Sequence, residues 1–216
     1  MLEKMGEFFD NRLDGYEEHQ LTCIEDAGKF YPFTAGCLPV ENGTNILDLG
    51  CGTGLELDYY FKRNPLAKVT GIDLAPGMLA ALREKFPDKD LTLIQGSYFE
   101  IPFEENRYDA AVSVESLHHF TKDEKTALYC KLNKALKEDG FFILTDYFAP
   151  SKEEEIFYRN ELERLKKQQG IAYHEFYHYD TPLTVEHEMK ALQEAGFTSV
   201  EILGCWENTY ALKAWK

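Results

Sequence analysis

Asn45-Ile46-Leu47-Asp48-Leu49-Gly50-Cys51-Gly52-Thr53-Gly54 is the stretch whose reading decides the fold. Asn45 to Gly50 is a short apolar run, which predicts a buried strand, and the glycines at every second position then predict a tight turn. A helix is expected from Leu55 to about Lys62, stopping before Asn64-Pro65, where proline disfavours continuation. Such a turn lets a ligand lie against bare backbone, and the helix that follows offers unpaired N–H groups.

Working outward, the same rhythm repeats. Lys68–Asp73 reads as a second strand, Pro76 opens a helix to about Phe86, and Leu91–Gln95 reads as a third strand. Tyr108–Val114 is a small, apolar fourth strand suited to burial on both faces. Thr121 and Glu124 form a capping box for a helix to about Lys137, Asp139-Gly140 is expected to break it, and Phe141–Thr145 makes strand five. Strands alternating with helices predict a parallel sheet covered on both faces.

Beyond strand five the rhythm changes. Ser151 caps a charged helix to about Gln169, an aromatic segment covers Ile171–Asp180, and Thr184 starts a helix closing at Ala195-Gly196. Ser199–Trp206 and Thr209–Trp215 are then joined by Glu207 and Asn208 alone, a link that requires an antiparallel pair. The expected sheet has seven strands, parallel except at its C-terminal edge. Residues 1–44 form an N-terminal helical cover with breaks at Pro32 and Pro39, and residues 148–183 an inserted helical and aromatic cap, all within one domain of residues 1–216.

Composition narrows the classes of function. The formal charge of −15 repels phosphate backbones and argues against general nucleic-acid binding. No apolar run approaches the ~20 residues of a membrane helix, and the first residues lack the basic flank and apolar core of a signal peptide. Five scattered cysteines with no C-x-x-C pair read as free thiols in a reducing compartment, so a cytoplasmic protein is expected.

In an open parallel sheet, ligands bind beyond the carboxyl ends of the strands. Asp73 ends the second strand there, where a carboxylate can accept both hydroxyls of a ribose. ILDLGCGTGLE (46–56), VTGIDLAPGML (69–79), YDAAVSVESLHHF (108–120) and LKEDGFFILTDY (136–147), in that order, resemble the successive motifs of class I S-adenosylmethionine-dependent methyltransferases. The resemblance is close over about residues 40–147, and the final hairpin fits the reversed edge of that Rossmann-like α/β fold.

The resemblance implies S-adenosylmethionine as cofactor. It sets Asp48, Gly50, Cys51, Gly52 and Gly54 at the methionine part, Asp73 at the ribose, and Leu74 and Met78 on its flanks. Gly96, Ser97 and Tyr98 would meet the adenine, and Glu115 and His118 the methionine side. Many members carry an acidic residue where this chain has Ser97, which weakens an adenine amino contact there. Within the family the chain looks most like the small-molecule type.

Methyl transfer needs an aligned acceptor and no obligatory side chain, so no catalytic residue is assigned. Glu115, His118, His119, Asp146 and Tyr147 all follow strands four and five, where a base would act, and each has a packing or capping reading as well. Tyr16, His119, Tyr147, Tyr173 and Tyr177 are the candidate acceptor contacts. The N-terminal segment reads either as a packed helix or as a lid in which Tyr16 or His19 closes over the cofactor. Seven aromatics, Phe148, Phe157, Tyr158, Tyr173, Phe176, Tyr177 and Tyr179, enrich the cap above the chain's 14% average and suit either a pocket for a partly apolar acceptor or packing glue.

His174-Glu175-Phe176-Tyr177-His178 matches the H-E-x-x-H zinc pattern, but Gly170 and Asp180-Thr181-Pro182 leave little room for the helix it needs, so no metal is expected and the same side chains read instead as packing or as part of a substrate pocket. A nicotinamide-dependent Rossmann oxidoreductase shares the strand, turn and acidic strand end, yet its G-x-G-x-x-G spacing differs from the G-x-G-x-G here. A non-catalytic S-adenosylmethionine-binding partner protein is the third reading. The acceptor's identity and the oligomeric state have no signal in the sequence.

Overall fold

A computed structural model describes residues 1–172 and 175–216. Three short helices, α1 (Met5–Asp10), α2 (Tyr16–Cys23) and α3 (Ala27–Cys37), precede β1 (Asn45–Leu49). The winding then runs α4 (Leu55–Arg63), β2 (Lys68–Asp73), α5 (Pro76–Lys85), β3 (Asp90–Gln95), β4 (Tyr108–Val114), α6 (Lys122–Ala135) and β5 (Leu136–Tyr147). It closes with α7 (Lys152–Gln169), α8 (Val185–Glu194), β6 (Ser199–Trp206) and β7 (Thr209–Trp215).

The seven strands lie in the order β3-β2-β1-β4-β5-β7-β6. Pairing is parallel from β3 to β5, and β7 runs antiparallel to both β5 and β6. The reversal of order between β1 and β4 creates the crevice in which ligands of such sheets bind. Alternate side chains feed two cores. Leu47, Leu49, Ala111, Phe142 and Leu144 face the layer of α6 and α8, while Ile46, Val69, Ala110, Val112 and Ile143 face α3, α4 and α5. Under α6 and α8 the buried Lys125 ammonium meets Glu188 at 2.5 Å, and the Tyr129 hydroxyl donates to the same carboxylate.

Two expectations are corrected. The helix after Thr121 stops at Ala135 rather than Lys137, because Leu136 already pairs with Tyr108; the register then shifts to Ala110 with Phe141, so Lys137 to Gly140 bulge within β5. The Asp139-Gly140 break therefore lies inside a strand of residues 136–147. Pro32 does not break the N-terminal cover but sits within α3, where the carbonyl four residues back belongs to exposed Gly28 in the first turn and can be solvated.

The cover and the cap are joined to each other across the top of the sheet. The Met5 N–H donates to Phe176 O at 3.1 Å and the His178 N–H to Glu3 O at 3.0 Å, forming an antiparallel bridge between Lys4 and Tyr177. Phe8 stacks on His178 with ring centroids 3.5 Å apart. Asp10 anchors the same cover on α5, accepting from the Gly77 N–H at 2.8 Å.

Candidate functional site

The three glycines of the first turn all hold left-handed backbone, with φ of +73°, +48° and +73° at Gly50, Gly52 and Gly54. Their surroundings differ. A Cβ on Gly50 would fall 2.1 Å from Ser116 Oγ, and one on Gly54 would fall 2.5 Å from Leu82 Cδ1, so these two admit neighbouring protein. At Gly52 the nearest atom is the Tyr16 hydroxyl at 3.9 Å, across open space.

That space is a cleft of about 50 Å³ at the carboxyl ends of β1, β2 and β4. Gly50, Gly52, Asp73, Leu74, Met78, Tyr98, Glu115 and His119 line it, together with Tyr16 from the cover. Asp73 is already organised: Oδ2 accepts from the Gly52 N–H and Oδ1 from the Ala75 N–H, both at 2.9 Å. Burial raises its pKa, and those two N–H donors hold the rise back. Tyr98 is buried with its hydroxyl 3.1 Å from Ser116 Oγ. Its loop is pinned by Lys131, whose ammonium donates to the carbonyls of Tyr98, Phe99 and Ile101 at 2.5, 3.0 and 2.8 Å.

Other residues read from the sequence lie behind or beside the cleft. Asp48 and Cys51 are buried beneath the turn; burial first, and then the neighbouring Glu56 carboxylate, push the Asp48 pKa well above the usual range. Asp48 Oδ2, Thr53 Oγ1 and Glu56 Oε1 are buried there without a hydrogen-bond partner. Gly96 and Ser97 line an outer groove against Asp10 and Phe176. Tyr177 lines a separate cavity between α6 and α7 with Arg159 and Lys166. Tyr147 stands beside His118 with ring centroids 6.3 Å apart, and Tyr173 and His174 lie outside the described residues.

The cleft adjoins a chamber of about 620 Å³, and Phe9, Tyr16, Glu115 and His119 line both. The chamber's other walls include Phe8, Arg12, Asp14, His19, His118, His178 and Asp180. Glu115 holds left-handed backbone, φ +50°, as the chain leaves β4. Burial and then the Asp146 carboxylate raise its pKa to about 8, although the His118 cation opposes this. Burial lowers the pKa of His118, but Asp146, with Oδ1 2.5 Å from Nδ1, outweighs it and the net value rises to about 9. His119 is lowered to about 4 by burial and by the neighbouring His118 cation. Burial also raises the Asp180 carboxyl, yet His119 and His118 beside it hold it far below the ordinary range.

Sequence reasoning missed Met5, Phe9 and Asp180 as lining residues, whereas Ser116, inside the stretch from Glu115 to His118, and His178, inside the His174–His178 stretch, were within its reach. Asp180 was read only as part of a turn. Met5 and Phe9 reach the cleft through the bridge to residues 176–178, a long-range pairing with no local signal.

The model of a "Methyltransferase domain" matches residues 46–140. An uncharacterised methyltransferase of Synechocystis is 31% identical over 119 residues, covering 53% of this chain and 54% of that protein. The demethylmenaquinone methyltransferase of Staphylococcus aureus is 32% identical over 146 residues, covering 65% and 55%. The chain thus spans about half the length of these curated relatives. Among solved structures, an S-adenosylmethionine-dependent methyltransferase from Mesorhizobium loti superposes with a TM-score of 0.63 at 20% identity, covering 86% of this chain and 96% of that one.

Proposed function

We propose that the chain is a class I S-adenosylmethionine-dependent methyltransferase that methylates a small molecule held in the chamber beside the cleft, a reading supported by the matched domain at residues 46–140 and by the relatives it resembles. The observation that carries this reading is the cleft itself, where Gly52, Asp73 and Glu115 face one another at the carboxyl ends of three neighbouring strands. S-adenosylmethionine, when bound, supplies an electrophilic methyl group on a sulfonium.

The residues fit that group chemically. Gly52 leaves room where any side chain would intrude, Asp73 offers a carboxylate for ribose hydroxyls, and Leu74, Met78 and Tyr98 give apolar walls. Beneath the turn the buried Asp48 and Glu56 carboxyls lie against each other, both raised above the ordinary carboxylate range by burial, and brace the turn from behind the cleft. Gly50, Cys51 and Gly54 act by shaping the turn, while Gly96 and Ser97 line the outer groove beside Met5 and Leu74 and His118 lines the chamber. At about 50 Å³ the cleft is far below the ~300 Å³ of ordinary ligand pockets, and Phe9 of α1 and Tyr16 of α2 are the walls whose displacement would enlarge it.

The acceptor's direct walls are Tyr16 and His119, joined by His178 and Asp180, with Tyr147 beside His118 and Tyr177 supporting the cap from its far side. Rings of Phe8, Phe9 and Tyr16 supply apolar contact and exclude water, and alignment of the acceptor contributes most of the acceleration. Among the described residues no helix is long and apolar enough to cross a membrane; separately, five unpaired cysteines fit the reducing compartment of a cytoplasmic enzyme. Calorimetry with S-adenosylmethionine, S-adenosylhomocysteine and NADH, followed by a screen for labelled methyl incorporation, tests the proposal. Preference for NADH would overturn it, and tight S-adenosylmethionine binding without turnover on any extract would favour a binding protein.

A further inference from the structure

His118, His119 and Asp180 come together on the chamber wall although Asp180 lies on a different segment, after α7. Asp180 Oδ1 is 3.0 Å from His119 Nδ1 and 3.6 Å from His118 Nε2, and the three donor atoms all lie within 4.8 Å of one another. Two ligands of one tetrahedral ion at ~2.0–2.1 Å are separated by roughly 3.3 Å, so these two distances bracket the edge of a metal polyhedron.

Two further observations point the same way. The His118 ring is aimed by its other nitrogen: Nδ1 lies 2.5 Å from Asp146 Oδ1, and Asp146 is itself fixed by the N–H groups of Leu117 at 2.8 Å and Tyr147 at 3.0 Å. A carboxylate on the far nitrogen is how metal-binding imidazoles are oriented. His119 Nδ1, on a side chain 4% exposed, is buried with no properly aligned hydrogen-bond partner, and faces the Asp180 carboxylate.

We propose that His118 Nε2, His119 Nδ1 and the Asp180 carboxylate bind a divalent first-row transition-metal cation on the wall of the chamber. Two imidazoles and one carboxylate suit Zn²⁺, Fe²⁺, Co²⁺ or Ni²⁺ better than Mg²⁺ or Ca²⁺, which favour all-oxygen sets. The set leaves coordination positions open toward the chamber, where His178 borders it with its ring centroid 4.8 Å from that of His119. An acceptor hydroxyl or thiol fits one of those positions, and the metal would lower its pKa and hold it. The binding site stands independently of methyl transfer; this assignment of acceptor class rests on it.

The test is titration of the chelator-treated 216-residue chain with Co²⁺ alone, read by visible d–d absorption and calorimetry, with S-adenosylmethionine binding measured separately on the metal-free protein. One equivalent of Co²⁺ should bind, displaceable by Zn²⁺ and not by Mg²⁺. Asp180→Ala and His119→Ala should each abolish saturable binding, and Asp146→Asn should weaken it roughly 10–100-fold. Circular dichroism and melting establish that each variant is folded; Asp180 is half exposed on a loop, so its variant keeps the assay decisive even where a histidine variant misfolds. Absence of a saturable Co²⁺ signal, or a signal that survives Asp180→Ala, would overturn the site, leaving Asp180 as the histidines' counter-ion. Co²⁺ binding without S-adenosylmethionine binding would instead defeat the methyl-transfer reading alone.

Discussion

Replacing Gly52 by alanine should separate ligand recognition from folding. With φ at +48° an alanine there pays for left-handed backbone, about 1–2 kcal/mol. Nothing adds to that cost, because the new Cβ meets no protein atom nearer than the Tyr16 hydroxyl at 3.9 Å. For a chain of 216 residues the melting temperature should therefore fall by roughly 2–8 °C. The methyl group stands in the cleft, and S-adenosylmethionine should lose at least about tenfold in affinity, or 1.4 kcal/mol. Gly54→Ala is the control. Its backbone cost is the same, but its Cβ would fall 2.5 Å from Leu82 Cδ1 and 3.3 Å from Leu57 Cδ1, adding about 1–3 kcal/mol of overpacking. Gly54→Ala should melt lower than Gly52→Ala and yet bind better. Differential scanning fluorimetry with calorimetry on S-adenosylmethionine and S-adenosylhomocysteine reads both quantities. A folded Gly52→Ala that titrates like the parent would refute the assignment of this turn as the cofactor cradle.

Asp73→Asn should weaken S-adenosylmethionine binding, since each charge-assisted hydrogen bond lost is worth roughly 1.5–3 kcal/mol; unchanged calorimetry of a folded variant would remove Asp73 from the ribose. Lys131→Met frees three carbonyls of the 98–101 loop, and should lower both melting temperature and cofactor affinity, with Lys131→Arg recovering part of each. Asp48 is raised by burial and by Glu56, so the stability it contributes is complete below the ordinary carboxylate range and is lost as pH rises through the elevated value. The melting temperature of Asp48→Asn relative to the parent should consequently increase from pH 4 to pH 8, and a constant difference would show that Asp48 ionises normally. Hydrogen exchange across residues 5–23 should slow on adding S-adenosylmethionine if α1 and α2 reclose over it; protection confined to the sheet would argue against a lid.

The sheet was legible because its first four strands are each bounded by local punctuation, and the two-residue link at Glu207 and Asn208 forced the final hairpin. The start of β5 was not. Lys137 to Gly140 read as the frayed end of a helix, whereas the pairing of Leu136 with Tyr108 makes the same residues a strand bulge. In the site, Gly52, Asp73 and Glu115 could be found because strand ends announce themselves. Asp180 could not, being 61 residues from His119 and delivered by the packing of the cap. The tyrosines of the cap drew attention by their number, yet the described cap side chains that line the chamber are His178 and Asp180.

The bridge between Lys4 and Tyr177 has a consequence for how such a site would work. The cover and the cap share two backbone hydrogen bonds and the stack of Phe8 on His178, so neither can move far without loosening the other. Phe9 and Tyr16, which the cover contributes, line the cleft and the chamber at once. Opening the cleft by displacing the cover would therefore withdraw two walls of the chamber, and closing it would restore them together with the stack of Phe8 on His178. A molecule in the chamber would meet its complete walls only when the cleft is shut. Water exclusion around both ligands would then follow from one displacement of residues near the N-terminus, which Asp10 anchors on the first turn of α5.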